Sequence, residues 1–313
     1  MKFADLFCGI GGFHRGVVAA VPDAECVVAC ERNTKTRAKY VSLYGITPHP
    51  DITTLPSLPP CDLVCGGFPC QSFSEAGKKG GLTDARGQLF FEIVRLAKTA
   101  GHPVLLLENV KHLLHIDGGA VLRLFLKTLE DEGYKVSYAV LSPHQVGVPQ
   151  FRPRVFFVAS TDKAFDFTPL KALTTEVALS SIVEPSAPPT HFNYTLFDPP
   201  LPRNPKSHLH FYGYVNHTKK RNGHYPLTRQ SCHHEYYRIF HDDGVAPTLT
   251  THSGSLIYRS ATQSVAPYTP TEKHRLMGFP ETLGLTHPQL GNAVCPAVVA
   301  AIVQEMVRQG VIG

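Results

Sequence analysis

The sequence has 313 residues, enough to bury a large core in one big domain or in two. Hydrophobic residues make up 43% of the chain and charged residues 18%, which is typical of a soluble globular protein and excludes a disordered or fibrous one. The net charge of +5 fits a polyanionic partner without requiring one.

The N-terminal segment and the cysteines indicate the cellular compartment of the protein. The segment MKFADLFCGIGGF is a poor secretion signal because Asp5 and several glycines interrupt its apolar run. No stretch reaches the roughly 18 apolar residues needed to cross a membrane. The eight cysteines match neither a secreted disulfide framework nor the paired spacing of a zinc ribbon. We therefore expect reduced thiols, no membrane association and a cytoplasmic location.

Up to about residue 160, short apolar runs alternate with longer amphipathic ones. The runs predicted to be strands are Phe3–Phe7, Cys26–Cys30, Leu63–Cys65, Val104–Leu107, Val136–Leu141 and Val155–Ala159. Helical spacing of apolar residues marks Leu89–Ala100 and Val121–Leu129. Alternation of strands and helices predicts an α/β fold with a doubly wound, mostly parallel sheet.

The pattern changes between residues 161 and 285, where prolines, histidines and turn residues interrupt every run. This pattern predicts a second, smaller unit of irregular or β structure. Order returns in Ala297–Gly310, which has helical spacing after Pro296, a residue suited to a helix start. We expect this last helix to return to the first domain. The predicted domains are residues 1–170 with 288–313, and residues 171–287.

The segment DLFCGIGGF follows the first predicted strand and opens the first helix. Glycines at positions 9, 11 and 12 allow a tight turn and the close approach of a ligand to the backbone. Glu31, near the end of the second strand, could hold a ribose diol, and Asp51 could reach an adenine amino group. The loop departs from the dinucleotide fingerprint because His14 replaces the third glycine, and a nucleoside cofactor without phosphates, such as S-adenosylmethionine, suits it better. A plain strand–helix turn is the alternative.

The segment GGFPCQSFS places one thiol just after a predicted strand. Because ligands of open α/β sheets bind beyond the carboxyl ends of the strands, Cys70 is either a nucleophile at that edge or a core residue. Glu108 ends the next strand and shares the edge. Gln150, Arg152 and Arg154 lead into a later strand, where alternation would let all three face one way.

These segments carry a family resemblance. DLFCGIGGF, GGFPCQSFS, LLLENV, GVPQFRPRVFFVA, TEKHRLMGFP and QLGNAV, in that order, resemble the motifs of the cytosine-C5 DNA methyltransferases of the bacterial modification type. The resemblance covers the first 160 residues and about the last 50, whereas residues from about 170 to 250 match the family's variable target-recognition domain only in position. It implies a Rossmann-like methyltransferase domain.

The resemblance implies a mechanism that the residues can support. Cys70 would attack C6 of a cytosine, which breaks the ring's conjugation and makes C5 nucleophilic towards the sulfonium methyl group. Glu108 would bind the N3 and amino edge, while Arg154, with Arg152 nearby, would hold the O2 side and favour the thiolate. The reaction needs no metal, and its product would be S-adenosylhomocysteine.

The resemblance also implies binding residues. Positions that match cofactor contacts are Phe7, Gly9, Gly11, Glu31, Asp51, Ile52, Pro69 and Asn292. The cytosine must leave the DNA stack, and the glycine-rich segment Gln71–Gln88 is suited to close over the DNA with basic side chains at phosphates. The residues expected to contact DNA are Gln71, Ser72, Lys78, Lys79, Arg86, Gln150, Thr248 and Leu249.

The partner expected from these features is double-stranded DNA, bound by a monomer in a bacterial or archaeal cell that could also carry a cognate restriction endonuclease. His208, His210, Cys232, His233 and His234 cluster in the recognition region, but they lack a second paired set at zinc-site spacing, so we expect no metal.

Three other functions are compatible with parts of the sequence. A transfer-RNA cytosine methyltransferase of the same superfamily would use similar motifs, although its usual Cys-Phe-Thr signature is absent. A non-catalytic DNA-binding relative would keep the fold, but degraded motifs are expected in such a protein. A dinucleotide-dependent oxidoreductase would explain the glycine loop but not the thiol, carboxylate and arginines.

Overall fold

The computed structural model of the protein describes residues 1–69, 88–175, 177–190, 193–215, 238–252 and 255–313. The chain divides into two compact units. The first contains Met1–Leu141, Pro153–Leu173 and Ala293–Gly313; the second contains Ser142–Arg152 and Thr174–Asn292. The segment Ser142–Arg152 thus groups with the second unit, whereas the predicted boundaries place it in the first.

The first unit is built on a six-stranded sheet. Its strands are β1 (Lys2–Leu6), β2 (Glu25–Cys30), β3 (Leu63–Gly67), β4 (Val104–Val110), β5 (Lys135–Leu141) and β6 (Arg154–Ser160). They lie in the order β2-β1-β3-β4-β6-β5. The first four pair in parallel, while β6 runs antiparallel to both of its neighbours. All six predicted strands are confirmed, as is the mostly parallel sheet.

The helices complete the α/β pattern. In the described part of the chain they are α1 (Gly12–Ala20), α2 (Thr34–Tyr44), α3 (Gln88–Thr99), α4 (Ala120–Asp131), α5 (Thr168–Lys171), α6 (Pro270–Met277), α7 (His287–Asn292) and α8 (Pro296–Arg308). The amphipathic spacing that predicted α3 and α4 is confirmed, and so is the start of the last helix at Pro296.

Helix α2 was not predicted because its sequence, TKTRAKYVSLY, has no apolar stripe. Its boundaries are set locally: the Asn33 side chain accepts a hydrogen bond from Thr36 N at 3.0 Å, and Gly45 ends the helix in a left-handed conformation. Tyr40, its one fully buried residue, attaches the helix to the core. This helix is therefore defined by its capping residues and by one buried side chain, and not by a periodic apolar face.

The first and last helices of the first unit pack closely. A Cβ atom at Gly12 would lie 2.5 Å from the carbonyl oxygen of Val294, and one at Gly16 would lie 2.4 Å from Val299 of α8. Because no side chain fits at either position, these glycines let α1 lie directly against the C-terminal segment. The expected return of the last helix to the first domain is seen in this contact.

The second unit contains a separate five-stranded sheet. Its strands are β7 (Tyr194–Leu196), β8 (Phe211–Val215), β9 (Arg238–His241), β10 (Leu256–Arg259) and β11 (Ser264–Pro267), in the order β11-β10-β9-β8-β7. A buried ion pair joins this sheet to α6: the Arg259 guanidinium donates to both carboxylate oxygens of Glu272 at 2.6 and 2.9 Å. The predicted β character of this region is confirmed.

One helical segment in the described part of the chain is long and apolar enough, by length and composition alone, to cross a membrane. Residues His287–Arg308 contain a window of mean hydropathy 1.6, although the sequence had suggested no such stretch. The window is 56% buried inside the protein, as in the core helix of a folded domain, and residues 293–295 break it into α7 and α8.

Candidate active site

The carboxyl edge is the end of the first unit's sheet where β3 and β4 finish and β6 begins. The register pairs Gly67 of β3 with Glu108 of β4, and Val110 of β4 with Arg154 of β6. Because β6 runs antiparallel to β4, its first residue lies at the carboxyl end of the parallel strands. Strand β4 also extends beyond the predicted Leu107, so the whole ENV segment lies in the strand.

Glu108 and Arg154 form an ion pair at the carboxyl edge. Arg154 Nε lies 3.1 Å from Glu108 Oε1, and their side chains are only 17% and 15% exposed. Gly67 leaves space above the carboxylate, since a Cβ atom there would lie 3.3 Å from Glu108 Oε2. The pair is thus partly shielded from water. Electrostatic interactions are stronger in such a place than on an open surface.

The start of the GGFPCQSFS segment is fixed at this edge. Phe68 is buried against Phe90 and Phe125, with ring centroids 5.7 and 5.3 Å away. The Asn109 side-chain amide donates to the Phe68 carbonyl oxygen at 2.9 Å. Pro69, which follows, is exposed. The chain therefore leaves the sheet from a rigid point next to Glu108.

The predicted nucleophile and its loop lie outside the described residues. This applies to Cys70, Gln71, Ser72, Lys78, Lys79 and Arg86. Their assigned roles remain predictions.

Five cysteines in the described part of the chain, Cys8, Cys26, Cys30, Cys61 and Cys65, are poor nucleophiles. Burial raises the pKa of the Cys26 and Cys30 thiols to about 12 and that of Cys61 to about 11. Burial also raises the pKa values of Cys8 and Cys65 well above the usual range of a thiol. These groups stay protonated at neutral pH, so they act as small apolar residues.

The glycine loop has one position open to a ligand. Phe7 and Gly9 both have positive φ angles, 57° and 54°, a conformation that is uncommon for phenylalanine. A Cβ atom at Gly9 would meet only the Phe7 carbonyl oxygen, at 4.0 Å. Gly9 N donates to Glu31 Oε2 at 3.1 Å, which joins the loop to the predicted ribose-binding carboxylate.

Gly11 serves packing instead. Its φ is 81°, and a Cβ atom there would lie 2.4 Å from the Tyr44 ring. The Tyr44 hydroxyl donates to the carbonyl oxygens of Ile10 and Gly11 at 3.0 and 3.3 Å. Tyr44 was not identified from the sequence, because nothing local links α2 to the loop.

Asp51 and Ile52 lie at the start of a single 3-10 turn, Ile52–Thr54. Asp51 Oδ1 accepts hydrogen bonds from the backbone and hydroxyl of Thr53, which hold the pKa of this carboxyl below its usual range. The Ile52 side chain is buried in the core. Asp51 is therefore a charged, pre-oriented group, whereas Ile52 has only its backbone available.

Gln150 and Arg152 do not share the face of Arg154, so the predicted alternation is wrong. Strand β6 begins only at Arg154, and the two preceding polar residues belong to the second unit. The fully buried Gln150 amide donates to the Leu276 carbonyl oxygen at 2.6 Å, and its oxygen accepts from Leu249 N at 2.9 Å. It has no surface available for DNA.

Arg152 is also buried, with 4% exposure. Its guanidinium donates to the carbonyl oxygens of Leu249 at 2.6 Å and Gly291 at 2.8 Å. A side chain held in this way supports the backbone of the second unit.

Thr248 and Leu249 are held by the same segment. The Thr248 hydroxyl donates to the Phe151 carbonyl oxygen at 3.0 Å, and the Leu249 side chain is buried. Leu249 therefore cannot present its side chain to DNA in this conformation. Asn292, predicted to contact the cofactor, is exposed at the end of α7 in the second unit.

Asn109 was also missed as a site residue. The sequence contains a signal for it, since a buried strand rarely ends in an amide with no task. Its hydrogen bond to Phe68 became visible only with the strand register.

Comparison with known proteins identifies the family. A model described as C-5 cytosine-specific DNA methylase matches residues 1–308. The chain is 32% identical to the Type II methyltransferase M.DsaV of Dactylococcopsis salina, over 98% of this chain and 86% of that protein. It is 31% identical to the Type II methyltransferase M.NlaX of Neisseria lactamica, over 97% and 96% of the two chains.

The fold agrees with that assignment. The crystal structure of S. pombe Dnmt2 methyltransferase superposes with a TM-score of 0.69 at 20% identity, covering 99% of each chain. From the motifs, the fold and these relatives together, we conclude that the chain belongs to the family of C-5 cytosine-specific DNA methyltransferases.

Proposed function

We propose that the protein methylates C5 of a cytosine flipped out of a short, specific double-stranded DNA sequence, through a transient bond between Cys70 Sγ and cytosine C6. The observation that best supports this is the Glu108–Arg154 pair, which lies at the sheet edge where the chain enters the segment containing Cys70. A carboxylate and a guanidinium beside a thiol are the groups that the reaction requires.

Residues of the first unit fit S-adenosylmethionine. The space at Gly9, the left-handed Phe7 and the Glu31 carboxylate suit a nucleoside that approaches the backbone closely. Asp51 and Pro69 complete this group, with Gly11 shaping the loop and Ile52 contributing its backbone. S-adenosylmethionine, when bound, supplies an electrophilic methyl group on a sulfonium and is left as S-adenosylhomocysteine.

The chain's own residues would perform the remaining chemistry. The Cys70 thiolate adds to C6, and the ring electrons move towards C5 while Glu108 holds the N3 and amino edge. Arg154 binds O2 and stabilises the charge that develops on the ring. After C5 is methylated, a base removes the C5 proton, the C5–C6 double bond returns and the thiolate leaves. The nucleophile is regenerated, and the step consumes no metal or reductant.

Three assigned roles change in this proposal. Gln150 and Arg152 position Leu249 by binding its backbone, and neither contacts DNA or the cytosine. The buried Leu249 side chain does not contact DNA either. DNA contact falls to Thr248 and to the residues beyond the described part of the chain: Gln71, Ser72, Lys78, Lys79 and Arg86. The setting would be cytoplasmic, with a monomer acting on cellular DNA and, as the Type II names of the relatives suggest, a separate restriction endonuclease.

A labelled-methyl assay tests the activity. Purified protein with tritiated-methyl S-adenosylmethionine is offered duplex DNA or transfer RNA, and label is expected on DNA only. Label on RNA alone would support the transfer-RNA alternative, and label on neither would support a non-catalytic DNA-binding protein. Bisulfite sequencing of DNA from expressing cells would then show which cytosine is modified.

A pair of cysteine variants tests the nucleophile. Cys70→Ala is expected to abolish transfer while duplex binding persists, because only the attacking atom is lost. Cys61→Ala, which removes a half-buried thiol with a raised pKa of about 11, is expected to keep its activity. Equal turnover in the two variants would contradict the role of Cys70.

A further inference from the structure

A compact cluster of histidines and carboxylates lies in the second unit, within the recognition region. His210 immediately precedes β8, His241 ends β9, and Asp243 lies in the following turn. One ring nitrogen of each histidine and a carboxylate oxygen of Asp243 all lie within 4.8 Å of one another. The sequence could not show this, because the pairing of β8 with β9 brings the two histidines together.

The contacts in the cluster are short. Asp243 Oδ1 lies 2.6 Å from His210 Nδ1 and 3.1 Å from His241 Nδ1. Asp242 Oδ1 lies 3.3 Å from the same His241 nitrogen. Ligand atoms around a tetrahedral zinc ion, each about 2.0–2.2 Å from the metal, lie roughly 3.3 Å apart. The donor atoms would need to move by less than about 1 Å to coordinate such an ion.

The cluster is rich in lone pairs. Asp243 N donates to His241 Nδ1 at 3.1 Å, so in this tautomer that nitrogen presents a lone pair close to two carboxylate oxygens. Two carboxylate oxygens beside an unprotonated ring nitrogen favour a cation at this position. Within the described part of the chain, the side chains that pair with Asp242 and Asp243 are those of the two histidines.

The surrounding structure holds these donors in place. Asp242 is 2% exposed, and its Oδ2 accepts hydrogen bonds from Ser260 N and Oγ at 2.9 and 3.0 Å. A Cβ atom at Gly244 would lie 2.9 Å from His210 N, so glycine lets the turn pack against the first histidine. The donors are therefore preorganised before any ion arrives.

His210 is 9% exposed, and its Nε2 is buried without a hydrogen-bond partner among the described residues. The other ring nitrogen, Nδ1, faces Asp243 Oδ1 and is therefore the one placed to bind an ion, with the ring proton on Nε2.

We propose that His210, His241 and Asp243 bind one divalent transition-metal ion, with Asp242 or water as a fourth ligand. Two imidazoles and a carboxylate at tetrahedral spacing favour zinc. The ion would join the start of β8 to the end of β9, five residues before Thr248, and thereby stiffen the segment that we assign to DNA contact. It takes no part in methyl transfer.

Zinc binding by the full-length, untagged protein tests this site. After equilibration with zinc and removal of free metal, elemental analysis is expected to find one zinc per chain. Zinc added to chelator-treated protein should raise the melting temperature by roughly 5–10 °C at a hundredfold excess over Kd. Cobalt in place of zinc should give the visible absorption of a tetrahedral site.

Three variants locate the metal. Asp243→Asn keeps the size and hydrogen bonding of the side chain, so it should fold, yet it should lose the bound zinc, as should His241→Gln. His252→Gln changes an exposed histidine of the same unit and should retain one zinc. Wild-type protein without bound zinc, or equal zinc in all three variants, would overturn the proposal and leave a hydrogen-bonded cluster.

Discussion

Arg152 and Arg154 stand two positions apart in one motif, yet they belong to two different regions. Arg154 begins a strand of the first unit and pairs with a carboxylate, with 17% of its side chain exposed. Arg152 lies in the second unit at 4% exposure and binds two backbone carbonyl oxygens. The partly exposed ion pair of Arg154 is typical of a residue that binds substrate. The buried contacts of Arg152 with backbone carbonyl oxygens are typical of a residue that stabilises the fold.

The same distinction separates two carboxyl groups of the first sheet. Glu108 is held by Arg154 at the carboxyl edge, while Asp5, the fourth of the five residues of β1, is fully buried. Burial raises the pKa of Asp5 to about 8, so this group is mainly protonated at neutral pH. Partners and burial, rather than residue type, thus distinguish the carboxyl group that we assign to chemistry from the one that we assign to the core.

The largest effect is expected from Glu108→Gln. The substitution keeps the shape but removes the negative charge that pairs with Arg154 and that we propose binds the cytosine edge, so transfer should fall by about 10²–10⁴-fold. Glu281→Gln, which alters an exposed ion pair with Arg275, is the matched control and should keep full activity. Single-turnover transfer of labelled methyl groups measures the rates of both variants. Equal rates would contradict the role of Glu108 in methyl transfer.

Arg154→Met should lower methyl transfer by about 10²–10³-fold, because the change removes the positive charge that we propose stabilises the ring. Its free energy of unfolding should change by only about 1 kcal/mol, since the ion pair is not fully buried. Transfer assays and urea denaturation on the same preparation separate the two effects. If the variant lost much of its stability but each folded molecule transferred methyl groups at the normal rate, the role of Arg154 would be structural and not catalytic.

Arg152→Met should show the opposite profile. Two buried carbonyl oxygens would lose their donor, so the free energy of unfolding should fall by about 2–4 kcal/mol. The urea midpoint measures this loss. Unchanged stability together with a severe loss of transfer would place Arg152 among the reacting groups and remove the contrast with Arg154.

The smallest effect concerns Asp5. Its pKa is near 8 in the folded chain and about 3.9 when unfolded, so between these values folding retains a proton and stability falls as the pH rises. The slope is at most about 1.4 kcal/mol per pH unit. His14, whose pKa burial lowers to about 4, acts in the opposite direction below about pH 6.5.

Asp5→Asn should therefore flatten the stability profile between about pH 6.5 and 8, where His14 does not titrate. Denaturant midpoints of the two proteins at several pH values measure the difference. Parallel profiles would show that Asp5 is ionised in the folded protein and would weaken the distinction between the buried and the edge carboxyl groups.

Much of the first unit could be predicted because its signals are local. Apolar runs give the strands, helical spacing gives α3 and α4, and the ordered motifs place Glu108 at the end of a strand. What could not be predicted depends on long-range pairing. Helix α2 has no apolar stripe, Tyr44 fills the space at Gly11, and strand pairing brings His210 to His241.

The Gln150, Arg152 and Arg154 series shows the limit most clearly. Alternation would place all three on one face only if they formed a strand. The strand begins at Arg154, and the chain before it pairs with the 246–250 segment of the second unit. The motif therefore brought Glu108 and Arg154 together at the sheet edge, as expected, but gave the wrong surroundings for the two residues before Arg154.

The central claim is that Cys70 forms a bond with the target cytosine, and trapping of that bond tests it most directly. A duplex with 5-fluorocytosine at the target position is incubated with the protein and S-adenosylmethionine. Fluorine at C5 cannot be removed as a proton is, so the adduct should persist. Peptide mapping by mass spectrometry is expected to find the DNA attached at Cys70; attachment at another residue, or none in a preparation that methylates normal DNA, would contradict the account.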